Sequence, residues 1–320
     1  MTRLRHRLGA LVHDWPRFLR HIAFDWTRIR NRNEQIESDG RGVRCDWVYS
    51  SDLHIANVYP MTARLLMWRA FKQWPLNPRD EPMIVSAAPV VSFLIGHRGL
   101  ERVPNLLRTL RSIAGQTGVA VECIVVEQSA EPQVADKLPR WVRYLHTPVA
   151  PGSDYCRAAT FNAAARIAKG SIFVPHDNDI LVPERYAFEI AARVREGARF
   201  VDPKRFLFYL DERERVATVG QNLKGGSIAA TRDAYFAIGG FDEDFVGWGG
   251  EDLEFWERAR VHGGVYEYGW VPLIHLWHAA QRGKLEQNAA PAQVRYYALR
   301  DVPAAERIAR LRSANFSNEK

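Results

Sequence analysis

The chain has 320 residues, 47% hydrophobic and 25% charged, a mixture that suits one large globular core or two smaller ones. Its net charge of +7 raises the question of a polyanionic partner. Residues 1–32 contain eight arginines, no lysine and two aspartates, so six of the seven net charges lie there. The remaining body is near neutral, with no interleaving of aromatic and basic residues, which argues against nucleic acid.

Cys45, Cys123 and Cys156 are scattered, without a CxxC pair, and imply neither a zinc knuckle nor a disulfide framework. They suit a reducing compartment. No apolar h-region follows Met1–Arg7, and no run approaches the ~20 apolar residues that span a bilayer.

In chain order, the first element is a basic amphipathic segment over residues 1–32. Leu4, Leu8, Leu11, Trp15, Phe18, Leu19, Ile22, Trp26 and Ile29 recur at spacings of three and four, with a break near Pro16. Arginines occupy the other face. This pattern fits a helix lying in an anionic membrane interface, or one whose stripe packs on the body of the protein. Residues 33–82 form a second region ending in "WPLNPRDEP" (Trp74–Pro82), whose three prolines predict a linker.

From there the texture is α/β. Short apolar strands are expected at Val90–Gly96, Val121–Gln128, Trp141–His146 and Ser171–Pro175. Helices are expected at Leu100–Ala114, Tyr155–Ala168 and Pro183–Glu196. This alternation predicts a mostly parallel central sheet flanked by helices, with ligands at the carboxyl ends of the strands. There is no internal repeat, no GxGxxG after the first strand and no GxxxxGK[ST].

"HDND" (His176–Asp179) follows an apolar strand. Side chains two apart in extended backbone point the same way, so Asp177 and Asp179 can face one site. Two carboxylates there suit Mg²⁺ or Mn²⁺ holding a diphosphate, although Asp-Asn-Asp is also a common turn. "PLIHLWHAAQRG" (Pro272–Gly283) sets His275 and His278 just beyond another apolar strand, and either could join the carboxylates.

Between them lies "GWGGEDLEFWERA" (Gly247–Ala259). Leu253, Trp256 and Ala259 share one helical face, Glu254 and Arg258 form an i,i+4 pair, and Gly263-Gly264 can end the helix. Glu251 and Asp252 therefore fall in its first turn, where acids complement the helix dipole. Capping accounts for one acid. It does not account for Gly249 and Gly250, which permit a close ligand, or for the apolar face of Trp248, which suits a sugar ring. A carboxylate there is placed to act as a general base.

"KGGSIAATRDAYFAIGGFDEDFVGWGGEDLEFWERA" (Lys224–Ala259) resembles the carboxyl-terminal catalytic region of beta-galactosyltransferases and bacterial chondroitin-type polymerases. "VSFLIGHRGLERVPNLLRTL", "IVVEQS" and "HDND" resemble family 2 glycosyltransferases of the GT-A fold. The resemblance runs from about Val90 to Gly283, with the motifs in the family's order. It implies an inverting transfer of a hexose or N-acetylhexosamine from a UDP-sugar to a hydroxyl of a glycan or lipid-linked glycan.

The resemblance also implies roles by residue. Gly96, His97 and Arg98 would hold the nucleotide, Glu127 and Gln128 would border the nucleoside, and Arg157 would approach the nucleotide-sugar. Asp177 and Asp179 would serve the Mn²⁺ or Mg²⁺, with His275 or His278 as a further ligand. Gly225 and Gly226 fall where the family's Phe-Gly-Gly-x-x-Ser lies and would border the sugar or acceptor. Asp252 would be the base and Glu251 its acceptor-binding partner.

Two departures matter. The galactosyltransferases of this group carry a transmembrane anchor, and the polymerases carry two catalytic units. A cytoplasmic enzyme making single additions, peripheral to the membrane if residues 1–32 dock there, is therefore expected. The expected boundaries are 83–290 for the transferase domain, with a nucleotide half at 90–182 and an acceptor half at 220–283, and a helical tail at 291–320. The rival outside the enzyme class is a nucleotide-sugar-binding scaffold without turnover.

Overall fold

The computed structural model describes residues 7–47, 50–279 and 291–316. The expected segments at residues 1–6, 280–290 and 317–320 lie outside the described residues.

The N-terminal region contains α1 (Trp15–Phe24), the hairpin β1 (Ile36–Ser38) and β2 (Val43–Cys45), β3 (Ser51–Asp52), α2 (His54–Val58) and α3 (Pro60–Gln73). An alternating stretch follows: β4 (Val91–His97), α4 (Val103–Ala114), β5 (Val121–Ser129), β6 (Arg143–Pro148), α5 (Arg157–Ile167) and β7 (Ile172–His176). Beyond it come β8 (Ile180–Leu181), α6 (Tyr186–Arg195), β9 (Phe200–Val201), β10 (Lys204–Leu210), β11 (Val216–Gln221), β12 (Ala229–Thr231) and α7 (Arg232–Ala237). The last elements are α8 (Glu251–His262), β13 (Val265–Tyr266), β14 (Val271–His275), α9 (Pro291–Leu299) and α10 (Ala304–Phe316).

Among the described residues the central sheet has seven strands in the order β13-β9-β12-β7-β4-β5-β6. The β7-β4-β5-β6 half is parallel throughout, and β12 runs antiparallel between β7 and β9. β4 is buried at every position, as its unbroken apolar run predicts for a strand covered on both faces. Helices flank the sheet, with Leu106, Leu110 and Ile113 of α4 packed on one side. Ala158, Phe161, Ala164 and Ala165 of α5 pack on the other.

A second sheet of five strands, β3-β11-β10-β14-β8, is mainly antiparallel, with β10-β14 as its parallel pair. Sequence patterning missed β9 to β12. These strands follow one another without intervening helices, so the βα alternation stops at α6.

The N-terminal stripe divides. Phe18, Ile22, Trp26 and Ile29 are buried with Leu66 and Ala70 of α3 and with Phe206 and Phe208 of β10. Leu8, Leu11, Val12 and Leu19 are exposed, and Phe24 is 84% exposed. The packing alternative thus holds for Trp15, Phe18, Ile22, Trp26 and Ile29, whereas Leu8, Leu11 and Leu19 of the stripe stay exposed and Val12 and Phe24 lie outside it.

The Trp74–Pro82 stretch has no helix, as its prolines require, but it is strapped down rather than free. Arg79 N–H donates to the Arg111 carbonyl at 2.9 Å, Glu184 N–H to the Pro75 carbonyl at 3.0 Å, and Trp141 Nε1 to the Asp80 carbonyl at 2.9 Å. A Cβ on Gly115 would lie 1.5 Å from the Asn77 carbonyl oxygen, so only glycine admits the strap there.

The Glu254–Arg258 pair on α8 forms as its i,i+4 spacing predicts and is wholly buried. Arg258 Nη1 also donates to the Gly240 carbonyl at 2.8 Å, and Arg307 of α10 donates to Glu254 Oε1 at 3.1 Å. Every charge in this cluster has a fixed partner. Removing one partner leaves a buried charge uncompensated, at a cost of about 3–5 kcal/mol. Arg258→Met is expected to lower the stability of the folded chain by that order, measured by urea unfolding followed by circular dichroism.

Candidate functional site

Three chain segments meet at the carboxyl end of β7. The first is the turn after it. Asp177 N–H donates to the Gly226 carbonyl at 2.8 Å, which fixes the turn against the 224–227 loop. Asn178 Nδ2 donates to His97 Nδ1 at 2.9 Å, and His97 Nε2 then carries the hydrogen given to the Gly99 carbonyl at 2.9 Å. His97 is buried, and that burial pulls its pKa below the usual range. It braces the turn rather than facing outward.

The second segment is the start of α8. Gly250 precedes it with φ +91°, a left-handed conformation natural to glycine. Gly249 and Gly250 are needed for packing: their Cβ positions would lie 2.9 Å from Gln293 Oε1 and 2.7 Å from Tyr296 Cβ, both on α9. The close approach that these glycines permit is thus an approach of α9. Trp248 beside them is exposed.

The third segment is Arg157, the first residue of α5. The helix start is held by Gln128 Oε1, which accepts from Cys156 N–H at 2.8 Å. From there Arg157 reaches Asp177, Glu251 and Asp252 together; its contact to Glu251 is 3.0 Å. Burial alone would lower the guanidinium pKa, but the three carboxylates outweigh it and push it up.

One guanidinium cannot neutralise three carboxylates. Burial first, opposed by Arg157 and reinforced by Glu251 and Asp177, raises Asp252 to about 7. Gly225 lies against it: a Cβ there would meet Asp252 Oδ2 at 2.1 Å. Gly226 adjoins Asp177, with its Cβ position 3.8 Å from Oδ2.

Asp179 faces away from this cluster, toward the end of β14. One of its oxygens and one ring nitrogen each of His275 and His278 lie within 4.8 Å of one another. His275 Nε2 is 3.6 Å from Asp179 Oδ1, and His278 Nε2 is 3.4 Å from Oδ2. Both histidines join Asp179, while Asp177 is turned to Arg157 instead. The register explains this placement: His275 pairs with Ile180 on β8, and Leu276 N–H donates to the Asp179 carbonyl at 2.8 Å. Tyr209 of β10 lies over His275 with ring centroids 4.8 Å apart.

The donor set fits a divalent cation. His275 Nδ1 donates to the Leu276 carbonyl at 2.8 Å, so its Nε2 presents a lone pair to Asp179 Oδ1. That oxygen is buried and has no hydrogen-bond partner. Two lone pairs facing each other take a proton or a metal cation between them, and two imidazoles with one carboxylate form a candidate divalent-ion site.

Arg98 Nε donates to the Gln128 carbonyl at 2.7 Å, and Nη1 to the Ser153 carbonyl at 2.5 Å, which closes the loop after β6 over the end of β4. Gly96 is required beneath that loop, because its Cβ would lie 2.1 Å from both Thr160 Oγ1 and Tyr155 Oη. Glu127 is buried, and its oxygens accept from the Gln133 and Val134 N–H groups, Ser129 Oγ and Tyr144 Oη. It holds the loop after β5.

Sequence reasoning missed Arg102, whose Nη1 donates to Asp179 Oδ2 at 2.8 Å, along with Asn178 and Tyr209. A second arginine four residues beyond Arg98, still ahead of α4, was the available signal for Arg102.

Residues 215–268 match the family model described as the N-terminal domain of galactosyltransferase. That span contains Gly225, Gly226, Trp248, Glu251 and Asp252. The chain carries a galactosyltransferase-type glycosyltransferase domain. Among curated relatives, a probable N-acetylgalactosaminyltransferase 9 of Caenorhabditis elegans is 41% identical over 61 residues, 19% of this chain and 10% of that protein. A validoxylamine A glucosyltransferase of Streptomyces hygroscopicus subsp. jinggangensis is 59% identical over 29 residues, 9% of this chain and 7% of that protein. These matches span a tenth or less of the relatives' own lengths. The matched span holds the paired acids and the glycine loop, whereas Asp179, His275 and His278 lie outside it.

Asp179→Ala is expected to abolish Mn²⁺ binding in calorimetry, whereas Asp177→Asn leaves it within a few-fold. Equal losses in both variants would mean that the two aspartates share the ion.

Proposed function

We propose that this chain is an inverting, metal-dependent glycosyltransferase of GT-A architecture that moves a hexose or N-acetylhexosamine from a UDP-sugar to an acceptor hydroxyl. The observation that carries the reading is Arg157 joining Asp177 to Glu251 and Asp252, which gathers the paired acids at the end of β7 and leaves one carboxylate with a pKa near neutrality.

Asp252 is the general base. Arg157 takes its Oδ2, which leaves Oδ1 for the acceptor hydroxyl. A carboxylate raised to about 7 is basic enough to accept that proton yet still largely ionised above neutrality. The hydroxyl oxygen attacks the anomeric carbon from the face opposite the leaving group. The carbon–oxygen bond to UDP breaks, UDP departs with the electron pair, and the configuration inverts. Glu251 holds Arg157 and borders the acceptor. Trp248 offers its ring to a sugar.

Asp179, His275 and His278 would hold the divalent ion, which when bound supplies Lewis-acid stabilisation of the diphosphate charge. Gly96, His97 and Arg98 shape the nucleotide end; in this reading His97 and Glu127 act through the loops they brace. The rival reading, a binding scaffold without turnover, is disfavoured because every residue the base role needs is present, with Asp252 held between Arg157 and the Gly225 backbone.

Asp252→Asn is expected to lower turnover by about 10²–10⁴-fold while UDP binding survives, measured by UDP release and calorimetry. In the native enzyme, kcat/KM is expected to rise about tenfold per pH unit below about 7 and to level above it, because the base form accumulates as pH rises. A flat profile across that range would remove Asp252 from the role.

The acceptor is proposed to be lipid-linked and reached by peripheral docking at an anionic cytoplasmic face. Among the described residues no helix is long and apolar enough to cross a membrane. What supports docking is an exposed apolar set on the N-terminal helices, Leu8, Leu11 and Leu19 from the stripe with Val12 and Phe24 beside them in sequence. Met61, Leu65 and Trp68 are exposed as well, at helical spacing on the adjacent α3. Arg17, Arg20, Arg28 and Arg64 lie among them, and each basic group near an anionic surface is worth about 1 kcal/mol. The whole chain is expected to sediment with phosphatidylserine-containing vesicles but not with neutral ones. Phe24→Glu with Trp68→Glu is expected to release it without changing UDP release in solution.

A further inference from the structure

We propose that Arg102 is a built-in counter-cation: it holds Asp179 and His278 until a divalent ion binds, and is then handed to the donor's diphosphate. The second half rests on the nucleotide-sugar reading above; the first does not.

Arg102 ends the short 3₁₀ turn Leu100–Arg102 ahead of α4. Its side chain is 13% exposed. Nη1 donates to Asp179 Oδ2 at 2.8 Å, and Nη2 lies 3.0 Å from His278 Nδ1. That ring nitrogen also lies 2.6 Å from the Ala279 carbonyl oxygen. It can accept from Arg102 or donate to Ala279, but a neutral ring cannot do both through one nitrogen.

A cation decides between the two. His278 meets Asp179 through Nε2, at 3.4 Å from Oδ2. An ion held on Nε2 needs the lone pair there, which moves the hydrogen to Nδ1. The Ala279 carbonyl accepts that hydrogen, and Arg102 Nη2 then faces an N–H instead of a lone pair. Cation coordination and the Arg102–His278 contact therefore demand opposite tautomers. The guanidinium also carries a full positive charge beside the carboxylate that would hold the ion, and like charges at this range repel strongly when water is largely excluded.

A guanidinium displaced from His278 keeps only Asp179 Oδ2, an oxygen of the carboxylate it would then share with an ion of like charge. A phosphate oxygen coordinated to the adjacent ion is a charge of the right sign within reach of the same side chain. The planar fork of arginine suits it. The ion and the diphosphate thereby become mutually dependent: the ion frees the arginine, and the diphosphate gives it a new partner.

The test uses the full chain and two probes, Mn²⁺ alone read by electron paramagnetic resonance and UDP at saturating Mn²⁺ read by calorimetry. Arg102→Gln is expected to bind Mn²⁺ alone about tenfold more tightly or better, because the competing charge is gone. The same variant is expected to bind UDP about tenfold more weakly. Opposite signs distinguish this from structural damage, which would weaken both. Arg102→Lys keeps the charge without the fork, so its Mn²⁺ affinity is expected to stay near native while UDP is still weakened. Unchanged or weaker Mn²⁺ binding by Arg102→Gln would overturn the counter-cation role, and unchanged UDP binding would overturn the transfer to phosphate. A native chain that binds Mn²⁺ but no UDP would sink the nucleotide-sugar reading and leave the Mn²⁺ comparison standing.

Discussion

The site depends on one residue that is shared three ways. Arg157 is the point at which the end of β7 and the start of α8 become a single object, although 74 residues of chain separate Asp177 from Glu251. Three carboxylates around one guanidinium are an unbalanced set. The imbalance has a use: it keeps one acid reluctant to ionise, which is the property proton abstraction requires near neutral pH. The support is equally indirect, since Gln128 and Cys156 set where α5 begins and so where the guanidinium sits.

The neighbouring set is organised by the opposite logic. Around Arg157 positive charge is scarce; around Asp179 it is supplied by an arginine on one side and invited by the His275 Nε2 lone pair on the other. Asn178 separates the two regimes. Placed between the aspartates, it turns inward to His97 and sends the flanking carboxylates to different partners. The Asp-Asn-Asp sequence is thus neither a simple turn nor a pair of equivalent ligands.

Much of this was legible in the residues. The strands β4, β5 and β7 and the helices α4, α5 and α8 follow from apolar runs and 3.6-residue periodicity, because each buries a continuous face that local sequence must encode. His275 and His278 announced themselves by following an apolar strand. What escaped was non-local. β9 to β12 are two to seven residues long and owe their pairing to partners elsewhere in the chain. The roles of Glu127 and His97, which brace loops, depend on which backbone groups fold over them. The glycines before Glu251 signalled close approach correctly, but a helix from 40 residues onward is what approaches. No periodicity carries that information.

The aromatic cluster beneath α1 and α3 binds the N-terminal helices to the five-stranded sheet, and the strap from Trp74 to Pro82 ties them to α4 and the segment before α6. Phe206 and Phe208 on one side of β10 lie under those helices, while Tyr209, next along the same strand, lies over His275. Alternation along a single strand thus gives the sheet two audiences, a structural cover and a ligand-bearing rim. Whatever presses on the outer helices bears on the back of the strand that lines the rim, so residues 7–82 function as the keel of the transferase rather than as a detachable prefix.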